Sequence, residues 1–520
     1  MAFIRKSIYF ILIFFIGLFI VSSFFVRAKY NFIVYGDNPI LERQNIPLFV
    51  CIMVLLSSVS IVLYRLSLWL NKFPAKGVVP VVLALSFALQ IGIMLAFPRL
   101  PTDDSQTVLS LAKEMLYNHD YSSFQAGGYL HMFPFNFSMV LYLKSLLALF
   151  PDKLILVKLF NSLFTLVTTL MIYLIYKTLH VRSASRDYGV LLFAAMYAPA
   201  LLMNNLIYND VIATAFLTSA LYFVIRFVRD KRIAFLIIAA VLLSIGNYFR
   251  GIGVIVLIAA VIYMFLHARE IGVRKSLIAA FVLVLMLQIP GWTQNFVLQR
   301  MNIVDESLSK NAAPVYMWLN MGINKERFGF WDNRASYNIY EREAGYNKEM
   351  SEALFKQEIR DKLSEMSFGD LSAMYYKKLI WVWTEGTYQV DRYGIGTQGS
   401  DQRGRRGGSS IMGEYSYSTF FTELFKGDSK YRSGFLMILY VMNILMYIFI
   451  FIRLYKGLRK KSFDEMPLVL VILGFIGFYL LWEIKSRYLF PVYPILIMLS
   501  FLGFKDTYEY VTCRRIAVNE

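Results

Sequence analysis

Residues 101–136 read PTDDSQTVLSLAKEMLYNHDYSSFQAGGYLHMFPFN. The stretch lies between apolar runs at 78–97 and 154–176, each about long enough to cross a hydrocarbon core. It opens with two adjacent carboxylates, Asp103 and Asp104, at the end of one such run. Paired acids at a bilayer edge are costly unless they face water or a partner, so they mark a functional loop. The residues after them repeat apolar positions in an amphipathic pattern. Asp side chains ahead of SQTVLSLAKEML equally suit a helix start, by hydrogen bonding and by the helix dipole. One carboxylate can cap while the other acts.

Outward from this loop the chain is membrane-like. Of 520 residues, 58% are hydrophobic and only 17% charged, which sets it apart from water-soluble enzymes. We place spans at 8–26, 47–69, 78–97, 154–176, 189–206, 211–228, 233–249, 251–268, 276–293, 433–453, 466–483 and 487–504. The class expected is an all-α polytopic membrane protein with about 12 transmembrane helices. The net charge of +18 falls in clusters between spans, such as RFVRDKR, HAREIGVRK and RLYKGLRKK. That is the positive-inside pattern and implies a bilayer rather than nucleic acid as partner. Both termini are then cytoplasmic, and the first run reads as an uncleaved signal anchor. The two cysteines, Cys51 and Cys513, show no metal or disulfide spacing.

The run 135–150 is decided by parity. Counted as a span, it would turn every later basic cluster outward. Its length of about 16 residues and its internal Lys144 suit an interfacial or re-entrant helix. The expected organisation is three N-terminal helices (1–97), an outer catalytic loop with juxtamembrane helices (98–152), a transmembrane core (153–293), a small extracytoplasmic domain (294–432) and C-terminal helices with a cytoplasmic tail (433–520). In the outer domain, SEALFKQEIRDKLSEM predicts a helix capped by Ser351, with Phe355, Ile359, Leu363 and Met366 on one face. FGDLSAMYYKKLIWVW predicts a second helix, and GIGTQGSDQRGRRGGSS a mobile loop.

Cations expected on the same side as the Asp pair form a second group. Arg250 lies in NYFRG, Lys485, Arg487 and Tyr488 in WEIKSRYLFPVYP, and Lys158 just inside the fourth span. Interfacial snorkelling accounts for a lone Lys158. The cluster around Glu483 concentrates charge where cations are scarce, which suits an anion site. Asp210 in NNLIYND begins a span on the outer side, where helix capping competes equally with a functional role. Tyr129 and His131 in GGYLHMFP are weaker candidates, since a lone His in an aromatic loop is more often structural than catalytic. No HExxH or HxxxH companion makes a metal site, so no cofactor is implied; a divalent cation has no ligand spacing behind it. GRRGG is not a P-loop, because GxxxxGK[ST] is absent.

Taken together, the loop aspartate, the later Asp210, Arg250 and the terminal pattern of Glu483, Arg487, Tyr488, Pro491 and Pro494 resemble GT-C membrane glycosyltransferases. The chain is most similar to the protein O-mannosyltransferase and aminoarabinose-transferase-like group called family 39. The resemblance implies a GT-C fold, a polyprenyl-phosphate sugar donor, and a glycan, glycopolymer or protein acceptor of the cell envelope. It assigns Asp104 as catalytic base, with Asp103 beside it, and GGYLHMFPFN as the segment that follows. Lys158 stands at a common arginine, keeping the charge but losing the planar fork, and Arg250 stands where many members have lysine. Arg250, Arg487, Lys485, Tyr488 and Lys158 would bind the donor phosphate; Asp210, Tyr129, His131 and Glu483 would face sugar or acceptor. Two other readings stay open: a polymerase or ligase using a lipid-diphosphate donor, and a flippase or transporter. The latter should place broken helices and polar groups at mid-membrane.

Overall fold

The computed structural model describes residues 2–32, 37–180, 186–395, 418–427 and 429–519; of the expected mobile loop, 394–410, residues 396–410 lie outside the described residues. Among the described residues eight helices are long and apolar enough to cross a membrane: Phe3–Ser23, Ile46–Leu70, Ala75–Ala96, Leu154–Leu179, Asn209–Asp230, Val273–Arg300, Lys430–Lys460 and Ser486–Thr512. Three other expected spans form shorter apolar helices, Ile233–Phe249, Gly253–Leu266 and Met466–Leu481. The remaining one, 189–206, is split into Gly189–Ala195 and Ala198–Met203, the second carrying Pro199 in its first turn. Helices dominate because a chain in hydrocarbon must satisfy its own backbone groups. Asn209–Asp230 and Ser486–Thr512 are the best covered, at 83% and 89% buried, so they form the centre. Peripheral helices leave Val62 and Phe281 on open apolar faces.

Residues 135–150 do not continue straight from the acidic loop. Ser122–Met132 and Pro134–Leu149 meet at a bend of 102°, either a broken span or a re-entrant pair. The turn before Asp210 is fixed by polar groups inside the bundle. Asn204 donates to Gln90 Oε1 at 2.7 Å and accepts from Thr165 at 2.6 Å, and Asn161 donates to the Leu206 carbonyl at 2.8 Å. Such bonds hold helices together where water is absent.

Two features were not expected. Val26–Phe32 and Asp37–Arg43 pair as an antiparallel hairpin between the first two spans. The loop residues Met132 and Phe133 share a core with Met317, Met321, Ile339, Tyr340 and Phe355, so the acidic loop is packed into the smaller helical unit that follows residue 300. In that unit the helix Lys348–Glu365 is capped by Asn347, whose side chain accepts from Met350 N. This corrects the expected Ser351 cap: Ser351 sits in the first turn and bonds back to the Asn347 carbonyl. The second helix, Phe368–Thr384, is capped by Ser367.

Candidate functional site

Asp104 is the first residue of the helix Asp104–Lys113 and points into a cavity of about 1010 Å³. Its side chain is 40% exposed, so a substrate can reach it. Tyr129 donates to Asp104 Oδ1 at 3.2 Å. Asn136 in turn donates to the Tyr129 oxygen at 2.7 Å and accepts from Tyr208 at 2.8 Å. This chain of neutral donors fixes one oxygen of the carboxylate and leaves the other towards Arg487. Asp103 holds the N-cap position but its side chain makes no capping bond. Both of its oxygens instead take the Arg392 guanidinium, at 2.5 and 2.7 Å. Asp103 is thereby occupied, which leaves Asp104 as the carboxylate open to the cavity.

The cations come from two helix ends. Arg250 terminates Ile233–Phe249, and Arg487 lies in the 3-10 turn Ser486–Val492. Arg250 Nη1 is paired with Asp210 Oδ1. Arg487 Nη1 lies 3.7 Å from Asp210 Oδ2, and its Nη2 lies 4.0 Å from Asp104 Oδ2. Rings of Tyr208 and Tyr393 lie 4.9 and 5.1 Å from the Arg487 guanidinium, and Tyr488 lies 4.9 Å from that of Arg250. Planar cations suit aromatic faces, and these contacts hold both arginines in place. Lys485 lines the same cavity, 5.3 Å above the Trp331 ring. Tyr488 donates to buried Glu483 at 3.1 Å. One buried carboxylate between two guanidiniums leaves excess positive charge facing the cavity, a setting for an anionic group.

Three expected site residues lie away from the cavity lining. Lys158 is fully buried and donates to the Arg99 carbonyl at 2.6 Å, away from the cavity lining; a backbone oxygen, not phosphate, receives it. His131 points to Tyr346 rather than into the cavity. Asp210 is 0% exposed beneath the arginines and lies outside the cavity lining. Tyr129 and Glu483 do line the cavity.

Several lining residues carried no signal in the sequence. Arg392 comes from a segment 289 residues away. Trp318, Trp331 and Tyr337 come from the smaller unit, where Trp318 stacks on Trp482 at 5.7 Å. Tyr337 lies on the π-helical stretch Arg334–Glu343, and the Asp104 charge adds to burial in pushing its phenol up. π-helical turns recur at functional sites. No cluster of three His, Cys, Asp or Glu that could hold a metal forms among the described residues.

Comparison with known families matches residues 138–293 to the family described as dolichyl-phosphate-mannose-protein mannosyltransferase. That region carries Lys158, Asp210 and Arg250 and ends within the helix Val273–Arg300. Against the curated proteins the chain shows no match. With apolar helices long enough to span a bilayer and a cavity joining a carboxylate to two arginines, the chain is similar over residues 138–293 to that family of membrane mannosyltransferases.

Proposed function

We propose that this enzyme moves a sugar from a polyprenyl-phosphate donor to a hydroxyl of an envelope glycan or glycopolymer at the outer face of the membrane. The observation that carries this reading is the half-exposed Asp104 carboxylate with Arg487 4.0 Å away. Asp104 takes the proton of the acceptor hydroxyl as its oxygen bonds to the anomeric carbon. The bond from that carbon to the phosphate oxygen breaks, and its electron pair stays on the phosphate. Arg250, Arg487 and Lys485 stabilise the charge that builds there, more in the transition state than before it. A phosphate leaving group needs little protonation, so one base suffices and the single displacement inverts the centre. Trp318, Trp331 and Tyr337, with the polar Asn333 beside them, give the acceptor side an aromatic and hydrogen-bonding wall.

In this reading the acidic loop, the unit of residues 294–432 and the Arg487 turn face outward, and both termini lie in the cytoplasm. The test uses purified enzyme with synthetic polyprenyl-monophosphate and polyprenyl-diphosphate sugars. Transfer from the monophosphate, falling roughly 10²–10⁴-fold in Asp104→Asn, is expected. Transfer from the diphosphate alone, or an active Asp104→Asn enzyme, would overturn the reading.

A further inference from the structure

Arg392 sits on the short helix Val390–Tyr393 and grips Asp103 through Nε and Nη2. Two-point pairing of a guanidinium with a carboxylate fixes orientation as well as distance. Asp103 itself has φ of 54°, a left-handed conformation uncommon outside glycine, immediately before Asp104. Such strain persists where surrounding contacts over-determine it. The gripping segment is itself tied down. Asp391 takes the Arg432 guanidinium, and Arg432 also donates to the Asp391 carbonyl at 3.1 Å. On its other side, Tyr393 lies against the Arg487 guanidinium. Asp391, Arg392 and Tyr393 therefore touch both arms of the site, the acidic loop and the arginine turn.

The charges explain why a second carboxylate is tolerated there. Burial works to raise the Asp103 carboxyl, but Arg392, and behind it Lys485 and Arg487, hold it below its ordinary range. Asp103 thus lies in the field of the same cations that face the cavity. Left unpaired, it would turn that field on itself and oppose an incoming phosphate.

We propose that Arg392 is a positioning residue that sequesters the Asp103 carboxylate, keeping Lys485 and Arg487 available to the donor phosphate and Asp104 to the acceptor hydroxyl. This rests on the function proposed above. Arg392→Gln should raise the donor KM roughly tenfold or more, the scale of one charged hydrogen bond, with acceptor KM unchanged. Adding Asp103→Asn to Arg392→Gln should restore the donor KM to within about threefold of the Asp103→Asn single variant, because the competing charge is gone. A role confined to folding predicts no such recovery of KM. Arg392→Lys, which keeps the charge without the fork, should hold the donor KM near wild type and lose turnover; it also serves if Arg392→Gln does not fold. An unchanged donor KM in Arg392→Gln, a double variant no better than Arg392→Gln, or a Lys variant as weak as Gln would each overturn the proposal. Arg487→Gln is run alongside: if it alone leaves donor KM unchanged, the phosphate reading fails, whereas if only the Arg392 variants do, the sequestration fails.

Discussion

Asp210 lies beneath Arg250 as a fully buried counter-charge, its Oδ1 on the guanidinium while Oδ2 faces Arg487. A carboxylate with no access to solvent is stable in that position only while both cations stay. The pairing therefore pre-sets two guanidiniums that begin on separate helix ends. Removing the charge leaves the arginines to repel each other. Asp210→Asn should lower stability by about 3–5 kcal/mol, as for other broken buried pairs, and lower turnover with it. Thermal unfolding in detergent, followed by donor kinetics on the folded fraction, checks this. An Asp210→Asn enzyme with wild-type melting would show that the arginines are held by their tyrosines alone.

Arg250→Gln and Arg487→Gln should each weaken use of the donor more than of the acceptor. Charge-assisted bonds to phosphate exceed neutral ones, and both side chains are largely shielded from water. Arg487→Lys should recover part of the loss, since it lacks the fork. Initial rates against donor concentration at saturating acceptor provide the measurement. Wild-type donor kinetics in both Gln variants would reduce the arginine turn to a structural anchor.

Lys378 offers a pH signature apart from the chemistry. It is buried in the smaller unit, donates to the Gly322 carbonyl at 2.8 Å, and burial pushes its ammonium down to about 7 against the pull of Glu483. Above pH 7 the folded protein leaves Lys378 neutral while the unfolded chain stays protonated up to its ordinary pKa of about 10.4. Stability from this group is thus lost as pH falls from about 10 towards 7. Lys378→Met removes that slope. Its advantage in melting temperature over wild type should be greatest near pH 7 and shrink by pH 10. A difference that does not vary with pH would mean that the amine stays charged when folded.

The sidedness of the loops is checked by single cysteines at Ser122 and Ser462 in a Cys51→Ala, Cys513→Ala background. An impermeant maleimide should label Ser122→Cys in intact cells and Ser462→Cys only after permeabilisation. If the bent pair around Met132 crosses the bilayer, parity reverses and Ser462→Cys is labelled from outside.

Hydropathy made the long helices legible because an apolar run about 20 residues long has one use in this setting. It did not show the break between Ala195 and Ala198, since the residues around it are as apolar as those of a continuous helix. The juxtaposition of Asp104 with Arg487 was legible only through a resemblance carried by short motifs. The grip of Arg392 on Asp103 was not legible at all. An ion pair 289 residues apart leaves no spacing to read, and VDRYG is not unusual in composition. Lys158 misled for the opposite reason. A lysine entering an apolar span looks the same whether its amine snorkels to phosphate or, as here, ends on a carbonyl. Ser351 misled by one turn, because Asn347 offers an equally good capping side chain four residues earlier.

The hairpin of residues 26–43 ties an early part of this sequence to a much later one. Tyr30 meets the Ser486 hydroxyl and backbone N–H, both at 3.1 Å, across 456 residues, beside Arg487. At about 5–20 residues per second, the ribosome needs roughly 20–90 s to deliver the second partner after the first. For most of that interval Asp104 has been synthesised while the turn that carries Arg487 does not exist. Until that turn arrives the cavity lacks Lys485, Arg487 and Tyr488, so a nascent chain cannot present the full set of cations that faces Asp104.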